Sequence, residues 1–452
     1  PPAGGVHGRL ARGRRVSVAK RGGGSPLRAL ACGLLLAAAT ACARGGGRGE
    51  AVRLWAFGRE GEGVKELVPE VERRHPGLRV EVQQIPWTAA HEKLLTAYVG
   101  RELPDVAQMG NTWIPEMAAL DAIEPLDARV AASAAVQPGD YFPGIWETNV
   151  LDGTLYGVPW YVDTRLVFYR TDLLAAAGVG EFPRSWSAWR AAMEAVARRG
   201  GPGRYGLLLP TNEWAQPVAL ALAAGAELLS DGGRHGAFRA PEFRRAAEFF
   251  VGLYRDGLAP PLANTQVANL YQQMAAGDFA MYVTGPWNLG EFRRRLPASL
   301  QGSWTTAPLP APDGRTWPGV SLAGGSSLVV FRSSSRKDEA WKVVEFLSEP
   351  ATQKRFWQLC GDLPARRSAW DEPALASDAR TAPFRLQLEH VRATPKVPEW
   401  EQIAAKVWER LEPVARGTRD LDAALAALDA DVEAILAKRR WLLERKAAEG
   451  KP

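Results

Sequence analysis

Seventeen tryptophans in 452 residues are the first chemical signal, because an indole must line a core or a binding surface rather than stand in water. Several fall in short stretches beside carboxylates and amides. Trp87 follows Pro86, and Asn111 and Trp113 flank Thr112. Tyr161 and Asp163 alternate, which in a strand puts both on one side. Asn212-Glu213-Trp214 sets an amide, a carboxylate and an indole at consecutive positions, and Trp287 follows Gly285-Pro286. Gly324-Gly325 would let backbone amides approach a ligand closely. Glu60, Arg165 and Arg366 are further polar candidates. Flat rings ringed by donors and acceptors suit a neutral polyhydroxylated ligand, whose C–H faces stack while its hydroxyl edges take hydrogen bonds. Structural readings compete. Asn111 also suits the cap of a helix starting at Thr112, Arg366 beside Arg367 also suits a solvated charge, and Trp55, Trp341 and Trp408 have apolar or helical settings.

Catalytic patterns find little support. The five histidines are His7, His75, His91, His235 and His390. None forms an HExxH pair, and none neighbours a GxSxG elbow or a reactive cysteine. There is no GxxxxGK[ST] loop, and no cofactor is implied. Carboxylates are numerous enough that counting leaves a glycosidase acid/base pair open. An anionic ligand would need converging cations, for which Arg165 and Arg366 are the nearby candidates.

The formal charge of +6 is unevenly placed. Residues 1–41 carry seven basic residues and no acidic ones, so removing those seven leaves −1 for the rest. That argues against a nucleic-acid partner. The basic stretch to Arg28, the apolar run Ala29–Ala41 and Cys42 read as a secretory signal. A run of about 13 residues is shorter than the roughly 20 needed to span a bilayer. Ala39-Thr40-Ala41-Cys42 resembles a bacterial lipobox, with Ala39 replacing the usual leucine. The expectation is a signal over 1–41, lipid on Cys42, a tether over 42–50, and a membrane association only through that anchor. Of the three cysteines, Cys360 is then the one left in the folded part.

These side chains need elements to hold them. Val52–Phe57 reads as a strand, Glu66–Arg74 as a helix stopped at His75-Pro76-Gly77, Leu78–Ile85 as a second strand, Glu92–Val99 as a helix and Asp105–Met109 as a third strand. Strands alternating with helices predict a parallel α/β sheet. The pattern returns with strands at Leu166–Tyr169, Phe279–Thr284 and Ser327–Phe331. Helices are expected at Asp172–Ala177, Ser185–Arg198 with Ser185 as cap, Phe238–Arg255 entered through Pro241, and Lys337–Leu347. From Ala351 on, the chain reads as almost wholly helical, ending in Leu421–Leu443.

Four segments, in order, carry a family resemblance. They are Lys93–Ala97 leading through Leu103-Pro104-Asp105-Val106 to Gly110–Trp113; Gly153–Tyr161 (GTLYGVPWY) flowing into Asp163–Arg165 and Phe168–Leu174; Gly277–Met281 before Gly285-Pro286-Trp287; and Gly324–Leu328 before Ala340-Trp341 and Phe346-Leu347. Over most of 51–440 the chain resembles the bacterial extracellular solute-binding proteins of the maltose/trehalose type. The resemblance implies the α/β two-lobed periplasmic binding protein fold, with discontinuous domains, a crossing-strand hinge and a helical C-terminal part. Lobe one would be 51–163 plus 304–349, and lobe two 164–303 plus 350–445. The hinge is expected near Asp163–Tyr169, with returns near Ser303 and Glu349. The resemblance further implies a monomeric, non-catalytic receptor that holds a di- or oligosaccharide such as maltose or trehalose for the transmembrane permease subunits of an ABC importer. Tyr161 would stack on the sugar, Asp163 would accept from hydroxyls, and Trp287 would be a sugar plate. Relatives with Asp in the Gly110–Asn111 region differ from this chain. An exported carbohydrate-active hydrolase or lyase, or a receptor for a polyol phosphate, are the alternatives.

Overall fold

The computed structural model describes residues 51–449; the basic leader, Cys42 and the tether lie outside the described residues. Two sheets organise the chain. The first has six strands, in the order Leu363–Pro364, Val158–Asp163, Gly324–Val330, Val106–Gly110, Val52–Phe57 and Val80–Ile85. The last three run parallel, as the alternation with helices Glu60–Arg74 and Trp87–Gly100 predicts. Gly324–Val330 is inserted antiparallel between Val106–Gly110 and Val158–Asp163, with Ser326 opposite both Gly110 and Tyr161. The second sheet has the order Trp304–Ala307, Leu166–Arg170, Phe279–Thr284 and Tyr205–Leu208.

Each sheet is covered by amphipathic helices. On one face of the first sheet, Phe57, Leu94, Met109, Ile114 and Phe331 form an apolar cluster. On the other, Leu54, Val64, Trp160, Trp341 and Phe356 pack together, and that cluster runs on to Phe168, Phe292 and Trp304 of the second sheet. Trp55 and Trp341 are buried, as expected of structural indoles, and Trp408 is half-buried. The second core gathers Trp189, Met193, Phe250, Ile403, Leu425 and Leu428. Ala215–Ala224 is apolar but for Gln216 and buried at every position, a helix covered on all sides. Ser185 caps the helix Trp186–Gly200 by accepting from Ala188 N at 3.3 Å, and Pro241 opens Pro241–Arg255.

The chain passes between the sheets at places that differ in part from expectation. The first crossing is Thr164–Arg165, between strands Val158–Asp163 and Leu166–Arg170. The return is later than Ser303, because Trp304–Ala307 pairs with Leu166–Arg170 in the second sheet. The next passage also comes after Glu349. The helix Pro350–Cys360 stacks Phe356 on Trp160 at 4.3 Å, and Leu363–Pro364 pairs with the hinge strand Val158–Asp163. Residues 350–364 therefore extend lobe one, and Trp400–Ala415 with Leu421–Ala448 completes lobe two. Helical periodicity identifies a helix but not the lobe whose apolar face it meets. The segment after Ala351 also holds the short strand Val391–Arg392 and loops, so it is less uniformly helical than its sequence suggests.

Candidate functional site

A cleft of about 1010 Å³ lies between the lobes. Its lobe-one wall comes from the carboxyl ends of the three parallel strands, where open α/β sheets place ligands. Phe57 leads to Glu60, Ile85 to Trp87, and Gly110 to Asn111 and Trp113, and all four of these residues line the cleft. The indoles of Trp87 and Trp113 meet edge to face at 5.7 Å, and both touch Phe57 beneath them. Trp87 is 36% exposed, so its surface is available to the cleft.

Glu60 is the centre of a buried polar network. Its Oε1 accepts from Trp87 Nε1 at 3.0 Å and from the Tyr161 hydroxyl at 2.8 Å. The same phenol accepts from Gln108 Nε2 at 2.9 Å and from Ser326 Oγ at 3.0 Å. Gln108 in turn accepts from Phe57 N at 2.7 Å. Burial, then the Glu60 charge, pushes the Tyr161 phenol well above its usual range, so it stays a donor. The ring of Tyr161 lies against Trp160 and Phe356 and is buried. Tyr161 borders the cleft, yet its ring is buried, with Phe356 of the helix Pro350–Cys360 at 6.3 Å, and its hydroxyl holds Glu60 in place.

At the hinge, Arg165 Nη1 donates to both Asp163 oxygens at 2.7 and 2.8 Å. The guanidinium lies 4.7 Å over the ring of Trp287, which comes from the other lobe and is 45% exposed. Gly285 explains how that ring sits, since a side chain at 285 would strike the Trp287 indole. Gly324 and Gly325 pair with Asp163 and Val162. Gly325 has φ +125° and a Cβ there would collide with Tyr161 O, so the position excludes other residues. Trp214 faces the cleft from lobe two, backed by Trp400 at 5.6 Å.

Eleven of the fourteen residues anticipated as binding candidates thus line one cleft: Glu60, Trp87, Asn111, Trp113, Tyr161, Asp163, Arg165, Trp214, Trp287, Gly324 and Gly325. Asn111 does so while buried, donating to Thr148 Oγ1 at 2.8 Å; it makes no helix cap. Three lie elsewhere. Asn212 accepts from Asn264 N at 2.8 Å, and Glu213 is held by Asn264 and Gln216, so both pin a neighbouring loop. Arg366 is neither a cleft residue nor a solvated charge. It is buried, donates to Asp140 Oδ2 at 2.6 Å and to Ser348 O at 3.1 Å, and lies over Tyr141. Sequence reasoning missed Trp357 and Asp362, both of which line the cleft. Trp357 is hidden in an amphipathic helix, and Gly361-Asp362 reads as an ordinary turn. Of the cleft cations, Arg293 is paired with Asp378 and Arg294 with Glu291, while Arg59 donates to Leu359 O. No group of three or more metal-ligating side chains occurs among the described residues.

Residues 57–354 match the model of the bacterial extracellular solute-binding proteins. A solved structure, the sugar-binding protein MalE from the phytopathogen Xanthomonas citri, is similar to this chain at 51% identity with a TM-score of 0.84, covering 87% of this chain and 99% of that one. The galactooligosaccharide-binding protein of Bacillus subtilis is 22% identical over 85% of this chain and 89% of its own length. A lipoprotein of Streptomyces antibioticus is 28% identical over 77% of this chain and 78% of its own.

Proposed function

This chain belongs to the bacterial extracellular solute-binding protein family, and from that premise we propose that it is the sugar receptor of an ABC importer. It holds a neutral di- or oligosaccharide between its lobes and hands it to membrane permease subunits. The observation that carries this reading is the presentation of indoles from both lobes to one cleft, Trp87 and Trp113 from one side and Trp214 and Trp287 from the other. Stacking surfaces on both lobes make closure around a ligand favourable, because each lobe gains contact only when the two approach. Asp163 and Glu60 supply acceptors at the edges. The MalE relative is described as sugar-binding and the Bacillus relative as galactooligosaccharide-binding, which supports a carbohydrate over other neutral ligands. The cleft arginines are engaged as described, and this disfavours a polyol phosphate.

The reading includes binding without turnover, a monomeric state, and an exported protein anchored through lipid on Cys42. No helix among the described residues is long and apolar enough to cross a membrane. The deciding experiment is a thermal-shift screen against a carbohydrate panel. Ligand at a hundredfold over its Kd adds about 2.7 kcal/mol of stability. A panel containing maltose, trehalose and galactooligosaccharides in which no member raises the melting temperature would overturn the assignment. Hydrolysis of a bound sugar that follows the protein through purification would favour the enzyme reading instead.

A further inference from the structure

The cleft holds a carboxylate that the protein itself leaves unmatched. Asp362 stands at the corner between the helix Pro350–Cys360 and the strand Leu363–Pro364, where Gly361 turns the chain with φ +89°. The next residue, Leu363, pairs with Val162, so the corner is fixed beside Asp163 at the hinge. Asp362 lines the cleft, and it makes no hydrogen bond or ion pair with the described protein.

Its neighbours differ in this respect. Glu60 receives Trp87 Nε1 and the Tyr161 hydroxyl, and Asp163 receives Arg165. A carboxylate has room for about four hydrogen-bond donors, and half-buried Asp362 receives none from the described protein. Polyhydroxylated ligands carry such donors on their edges. The aromatic surfaces lining the same cleft, Trp357 in the last turn of the same helix and Trp87 from lobe one, would hold the faces of the same ligand.

We propose that Asp362 is a specificity-determining residue of the cleft, whose carboxylate accepts hydrogen bonds from ligand hydroxyls, and that binding releases a proton from it. This rests on the sugar-receptor reading and adds to it a residue and a proton. The charges around Asp362 disfavour its ionised form. Glu60 and Arg59 face it from the start of Glu60–Arg74, Asp163 faces it from the hinge strand, and Tyr161 and Cys360 lie close. Burial first, then the Glu60 charge, with Asp163 adding to them and Arg59 opposing, pushes Asp362 well above the usual carboxylate range. Burial, followed by Asp362 and Glu60, raises the Cys360 thiol to about 12, and Tyr161 is raised too, so both remain neutral. A hydroxyl donating to the carboxylate favours its charged form and lowers its pKa in the complex. Affinity therefore rises with pH through the interval between the bound and free pKa values, by up to tenfold per pH unit for one proton.

The test is calorimetric titration of the full chain with maltose and with trehalose between pH 5 and 8, in two buffers that differ in protonation enthalpy. The expected result is proton release on binding, tighter binding as pH rises, and loss of both in Asp362→Asn together with about tenfold weaker affinity and an altered preference between the two sugars. Wild-type affinity and undiminished proton release in Asp362→Asn would overturn the proposal. So would a wild-type Kd that is flat over this range, which needs no variant to fold. Sugar binding that is normal but independent of pH overturns this inference alone, whereas no binding to either sugar or to the wider carbohydrate panel overturns the receptor reading with it.

Discussion

Replacing Trp287 by alanine removes an aromatic surface that stands exposed in the cleft. The indole is 45% exposed, and a Trp side chain presents up to about 250 Å², so roughly 110 Å² remains for a ligand to cover. At about 25 cal/mol per Å², complete burial would contribute roughly 2.8 kcal/mol. One face already meets the Arg165 guanidinium at 4.7 Å, so a sugar gains most but not all of that, about 2 kcal/mol, or some thirtyfold in affinity. The loss should fall on most sugars alike, because stacking reads the C–H face and tolerates changes of hydroxyl pattern. Folding should suffer little, since an exposed cation–π contact contributes about 0.5–1 kcal/mol. Calorimetric titration of Trp287→Ala against maltose and trehalose, with circular dichroism as a check on the fold, measures this. Wild-type affinity in a well-folded variant would refute the stacking argument and would put the ligand elsewhere.

Asp163→Asn should weaken binding by about 1.5–3 kcal/mol and change the preference between epimeric disaccharides, because it removes a charge-assisted acceptor and loosens Arg165; titration against an epimer pair checks it. Arg366→Ala should destabilise the fold by about 3 kcal/mol, because it removes the charge partner of Asp140 and empties a buried arginine site outside the cleft lining. Its ligand affinity should stay unchanged, as read by denaturant melts alongside titration. Against the opposing effect of burial, hydrogen bonds from Ser368 and Arg366 hold Asp140 below the usual carboxylate range. The stability they give is therefore present above about pH 4 and is lost as pH falls through the lower folded value; acid melts should show the gap between wild type and Arg366→Ala narrowing there. Cys42→Ser should release the protein from membranes without altering sugar affinity, as fractionation and titration of the released protein would report.

The parallel strands of lobe one were legible because their composition and alternation with helices have few other physical solutions, and Trp87 and Trp113 were found with them because strand ends locate the ligand side of such a sheet. The glycines at 285 and 325 were legible as motif members, although the reasons, an indole lying over one and a carbonyl pressed against the other, belong to the folded state. What escaped depends on long-range partners. Asn212 and Glu213 have the composition of a sugar site, but Asn264 from a distant loop claims both. Arg366 pairs with Asp140 more than two hundred residues away. Asp362 escaped for the opposite reason. Its significance is the lack of a protein partner, and a sequence does not reveal which side chains will be left unpaired.

The middle position of Gly324–Val330 in the first sheet sets the order of events when the chain is made. Val106–Gly110 and Val158–Asp163 are not neighbours; each waits for the strand that lies between them. At about 5–20 residues per second, the ribosome needs roughly 10–40 s to supply that strand after finishing Gly110. During this interval the first lobe has no closed sheet to collapse into, and pairings so distant in sequence are intrinsically slow to form. Here the delay is written into the strand order, and the first sheet stays incomplete until Gly324–Val330 has been made.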